Sequence, residues 1–69
     1  MLTKAIATAA AKRHLKSLHL FHSEDDRYVF HGIKDDAEIF ALVYVNHISN
    51  AVTVRLDLDG SGNYDVVAE

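Results

Sequence analysis

The 69 residues include no cysteine, no proline and no tryptophan, and only three glycines. Without cysteine there is no disulfide, no thiolate metal site and no thiol catalysis, and the chain suits a reducing compartment. Without proline the commonest marker of a domain boundary is missing, and no repeat, linker or low-complexity segment divides residues 1–69, which read as a single domain. No apolar run reaches membrane length. The longest near the start, Ala5 to Ala11, is short and alanine-rich, and no cleavage site follows a hydrophobic region. These absences lead us to expect a soluble, unsecreted, cytoplasmic protein with no membrane partner. The basic, acid-free N-terminus superficially fits an organelle presequence, but its removal would strip the fold of its only expected helix.

Catalytic signatures are missing too. There is no glycine-rich phosphate cradle, no nucleophile elbow and no buried-looking pair of carboxylates beside a histidine. His31 with Asp35 and Asp36 is the nearest approach to an acid–base set, and nothing in its spacing requires one. A chain this short offers little room for an enclosed pocket, so the expectation is a protein that is not an enzyme.

What is present is ordinary globular composition, 49% hydrophobic and 25% charged, which favours folding over disorder. A small domain buries only a modest share of its surface, so an oxygen- or imidazole-bound metal, or a second subunit, is a plausible source of extra stability. The net charge of −3 is unevenly spread. Residues 1–23 hold Lys4, Lys12, Arg13 and Lys16 with no acid (+4); residues 24–69 hold all ten acids against Arg27, Lys34 and Arg55 (−7). Either half can serve as an interaction surface, or the two can attract each other within the fold.

Residues 2 to about 18 read as an amphipathic helix. Ile6, Ala7, Ala10, Ala11, Leu15 and Leu18 gather on one side, with Lys12, Arg13 and Lys16 opposite. Beyond the polar break Ser23 to Asp26 the period becomes two, and four strands follow: Tyr28 to Ile33, Glu38 to His47, Val52 to Leu58 and Tyr64 to Ala68. Short turns favour antiparallel neighbours. The expected class is α+β, one N-terminal helix packed on a four-stranded antiparallel β-meander (αββββ).

Two-residue turns at Ser49–Asn50 and Asp35–Asp36 place Tyr28, Phe30, Ile39, Ala41, Val43, Val45, Val52, Val54, Leu56 and Leu58 on the core face. Phe40, Leu42 and Tyr44 then share the far face with Val29 and Ile33. One helix cannot cover both faces of a sheet, so this set is the expected partner-binding surface, for a protein partner, for a homodimer, or for both. A non-enzymatic interaction module of inhibitor or regulator type follows as the expected function.

Other constellations carry less. His19 and His22, with Glu24, Asp25 and Asp26 beyond, form a bare HxxH better read as helix-end histidines than as a zinc site. His14 reads as a core-edge residue. Lys12, Arg13 and Lys16 offer a basic patch for nucleic acid, but no helix-turn-helix or glycine-aromatic signature accompanies it and the acidic remainder repels phosphate. No cofactor is expected, calcium excepted.

The calcium question arises from LDLDGSGNYDVVAE, Leu56 to Glu69. It resembles the first nine positions of an EF-hand loop, which implies Asp57, Asp59, Ser61, Asn63 and Asp65 as cation ligands around Gly62. Ala68 stands where the bidentate glutamate belongs, and a strand pattern precedes Asp57 where a helix is required. A hairpin with the loop Gly60 to Gly62 accounts for the same residues, setting Leu58 opposite Tyr64, Leu56 opposite Val66 and Val54 opposite Ala68. That register brings Asp57 directly against Asp65, a repulsion that Arg55, a bound cation or a basic partner must offset, and it adds both aspartates to the partner-binding set.

Overall fold

A computed structural model describes all residues 1–69 and has one helix and one sheet, as the α+β reading requires. The helix is α1 (Lys4–Lys12), and the strands are β1 (Lys16–Glu24), β2 (Arg27–Lys34), β3 (Ala37–Val45), β4 (Val52–Leu56) and β5 (Asp65–Ala68). They form an antiparallel meander in the order β1-β2-β3-β4-β5, five strands where the sequence pattern suggested four.

Thr3 starts the helix, its hydroxyl accepting the Ile6 N–H at 3.2 Å. Leu2, just before this cap, and Ala7, in the next turn, are both buried and fix the entry angle of the chain. Ala7 and Ala11 are fully buried, and their small side chains let the helix lie close to the sheet. Ile6, expected inside, is 46% exposed.

The helix ends at Lys12 instead of near residue 18, and the last residues read as helical, Lys16 to Leu18, open the edge strand β1. Leu15 leaves the helix and is buried beside Gly32, where a Cβ would meet Leu15 Cβ and the Lys16 carbonyl oxygen at 2.9 Å. Ser17, at φ 51°, lies within the first of two register irregularities of β1. Helix propensity yields here to backbone pairing along β2.

The core between helix and sheet holds Leu2, Ala7, Ala11, Leu15, Phe30, Ile39, Ala41, Val43, Val54 and Leu56. Asp35 and Asp36, at φ 51° and 64°, make the expected two-residue turn and pair Lys34 with Ala37. The β3–β4 connection runs from Asn46 to Ala51 and pairs Val45 with Val52, two residues away from the register a Ser49–Asn50 turn would give. The shift preserves parity, so every side chain keeps its face. The Asn46 side chain holds this loop by accepting the N–H groups of Ile48 and Ser49.

The last hairpin departs further. Val54 pairs with Ala68 as expected, but Leu56 pairs with Asp65 and Arg55 with Val66, with a register irregularity between. Asp57 therefore does not face Asp65. Leu58 lies outside the strand and is 47% exposed; Val66 is 45% exposed beside Arg55. The cause is the Asp57 side chain, which folds into the loop and holds Gly62, so the chain does not close as a three-residue turn.

Candidate functional site: the outer sheet face and the 57–64 loop

Alternation along β2 and β3 decides what the helix does not cover. Val29 pairs with Leu42, His31 with Phe40, and Arg27 with Tyr44, all on the face opposite Phe30, Ala41 and Val43. Val29, Ile33, Phe40, Leu42 and Tyr44 are all half-buried there. The structure thus brings together the five apolar residues expected on one face. Phe21, which the sequence pattern left unassigned, extends the patch: it is 69% exposed, with its ring edge-on to Phe40 at 5.1 Å between centroids. His31 also lies against Phe40, 5.0 Å between centroids. The signal for Phe21 was the Leu18, Leu20 alternation, masked by residues equally acceptable in a helix.

Arg55 closes this face toward β5. Its Nε donates to the Tyr44 hydroxyl at 2.8 Å, its Nη1 donates to the Tyr64 carbonyl at 3.3 Å, and its guanidinium stands 5.9 Å from the Tyr44 ring centre. It forms no ion pair with Asp57 or Asp65; the chain's single ion pair joins His22 to Glu24.

The 57–64 loop is built around two carboxylates. The Asp57 backbone N–H donates to the Phe40 carbonyl at 3.0 Å, holding the residue beside β3. Its Oδ2 accepts the Gly62 N–H at 3.1 Å, while Oδ1 is buried with no hydrogen-bond partner. Asp57 is 7% exposed. An unsatisfied buried oxygen costs on the order of 1–3 kcal/mol. Asp59 Oδ1 accepts both the Ser61 hydroxyl at 2.6 Å and the Ser61 N–H at 3.0 Å, and the Asn63 N–H donates to Ser61 Oγ at 3.2 Å. The Ser61 hydroxyl, then its N–H, hold the Asp59 carboxyl below the usual range. Burial first, and the Asp57 charge second, push the Tyr64 phenol up.

Asp59, Ser61 and Asn63 therefore belong to one hydrogen-bonded network, with Asp57 holding the adjacent Gly62, whereas Asp65 sits exposed on β5. No three His, Asp or Glu side chains converge to hold a metal anywhere in the chain, so Asp65 is not a third carboxylate in this loop. The same holds for the histidines: His19 and His22 lie on β1, not at a helix end, and His22 Nε2 contacts Glu24 Oε1 at 3.0 Å without a third ligand. Lys12 and Arg13 are exposed around the end of α1, and Lys16 begins β1, so the basic patch is split between two elements. None of these three cations pairs with an acid. No helix is long and apolar enough to cross a membrane. The comparisons with known proteins found no matching family model, no matching curated protein and no matching solved structure.

Proposed function

We propose that this chain is a small, non-enzymatic protein-interaction module of inhibitor or regulator type, docking a protein partner through the outer face of its sheet, with a second copy of itself as the first partner to test. One observation carries the reading: the single helix covers one face, and Val29, Ile33, Phe40, Leu42 and Tyr44 gather on the other with Phe21 beside them. A contiguous apolar face of this kind is the usual core of an interface, with aromatic residues as anchors. Small size favours the same reading, since a 69-residue domain gains proportionately from surface buried against a partner.

The experiment is an amide NMR concentration series. Association through this face moves the resonances of β2 and β3 and leaves α1 and the Asp35–Asp36 turn in place. Shifts confined to α1, or none up to millimolar concentration, would count against the self-association form. Loss of fold on Leu42→Asp would mark the face as internal to the monomer instead.

A further inference from the structure

We propose that the loop from Asp57 to Asn63 is a calcium site in which the carboxylates of Asp57 and Asp59 and the hydroxyl of Ser61 are the protein ligands, completed by backbone carbonyls and water. The observation that points to a ligand is Asp57 Oδ1. It belongs to a side chain only 7% exposed, it is itself shielded from solvent, and no donor reaches it. The same carboxylate is tied to the loop by the bond from Gly62 N–H to Oδ2 at 3.1 Å, which leaves the other oxygen without a donor.

The charge balance agrees. Asp57 Oδ2 and Asp59 Oδ1 accept the N–H groups of the consecutive residues Gly62 and Ser61, so both carboxylates close on one turn, yet no cationic side chain pairs with either. Arg55, the natural candidate on the same face, is committed to Tyr44 and Tyr64. Two neighbouring carboxylates, one buried and partly unsatisfied, present negative charge that a bound cation relieves.

The donor chemistry selects the ion. Every available ligand is oxygen, with no sulfur in the chain's side chains other than Met1 and no histidine in the loop, which disfavours zinc and suits a hard cation. Gly60 and Gly62 both have positive φ, 72° and 88°, and nothing lies within 4 Å of a Cβ built at either, so the loop has room to adjust. Calcium tolerates irregular oxygen geometry and a partial water shell, whereas magnesium demands near-octahedral placement. With only two carboxylates the affinity belongs at the weak end, a Kd of about 10⁻⁴–10⁻³ M.

The test is calcium chloride titration of the full chain, followed by melting temperature and by amide NMR. Ten millimolar calcium should raise Tm by about 5–15 °C, with saturable shifts centred on residues 57–64 and the Gly62 amide among them. Asp59 is exposed, so Asp59→Asn should fold normally and weaken calcium binding at least tenfold. Asp57→Asn retains an oxygen for the Gly62 N–H and should abolish the response while keeping the fold. The proposal is overturned if 10 mM calcium gives no saturable response, if magnesium matches calcium throughout, or if a folded Asp59→Asn responds as the parent does.

Discussion

Leu15 packs directly on Gly32, with its Cβ 2.9 Å and its Cδ1 3.1 Å from where a Cβ at Gly32 would stand. This contact fixes how the chain leaves the helix and enters β1, because the Lys16 carbonyl approaches the same point at 2.9 Å. Backbone cannot yield as a flexible side chain does. Gly32→Ala should therefore destabilise the fold by about 1–3 kcal/mol, read from urea unfolding, although the position lies in a regular strand where alanine is otherwise the better residue. A neutral or stabilising result would mean that the crossing is looser than described.

The sheet centre was legible in the sequence because its alternation is strict: the Asp35–Asp36 turn, the two faces of β3 and the pairing of Val54 with Ala68 all follow from it. β1 was not. Leu15, Lys16 and Leu18 are good helix formers, and only the unpaired edge of β2, a long-range feature, makes a strand the better outcome. The β5 register was obscured for another reason. The hydrophobic pattern sets Leu56 against Val66, whereas the Asp57 carboxylate holds Gly62 and brings Asp65 opposite Leu56 instead. The outer face was read correctly apart from Phe21, while Asp65, expected beside Asp57, lies elsewhere.

Helix stability should depend on Thr3. Its hydroxyl is the side-chain acceptor recorded for the first turn, and no acid there complements the helix dipole. Thr3→Ala should cost about 1 kcal/mol, and Thr3→Ser or Thr3→Asp should restore most of it. Thermal melts of the three variants decide this; equal losses in all three would assign the effect to lost packing.

Arg55 ties β3 to the segment entering β5, so its removal loosens the C-terminal hairpin first. Arg55→Ala should destabilise by about 1–2 kcal/mol and speed hydrogen exchange in β5. Arg55→Lys should recover only part, because one ammonium cannot reproduce both the Nε and Nη1 bonds. Full recovery by lysine would reduce the role to charge alone.

The β1 end of the sheet carries a small pH response. The His22 hydrogen bond first, and its charge second, hold the Glu24 carboxyl below its usual range; Arg27 acts weakly in the same direction. A depressed carboxyl favours the fold above its unfolded value of about 4.3, and that contribution is lost as pH falls through the lower folded value. Both groups are solvent-exposed, so global stability should barely change. Carboxyl NMR titration should show Glu24 protonating at lower pH than in His22→Ala; coincident curves would remove the interaction.

The outer sheet face bears on function most directly, and sedimentation equilibrium of the parent chain and of Leu42→Asp from micromolar to millimolar concentration tests it. We predict that the parent's apparent mass rises from 7.7 kDa toward twice that value and that its melting temperature rises with concentration, while Leu42→Asp stays folded and monomeric throughout. A parent that remains strictly monomeric, sedimenting identically to Leu42→Asp, would contradict it.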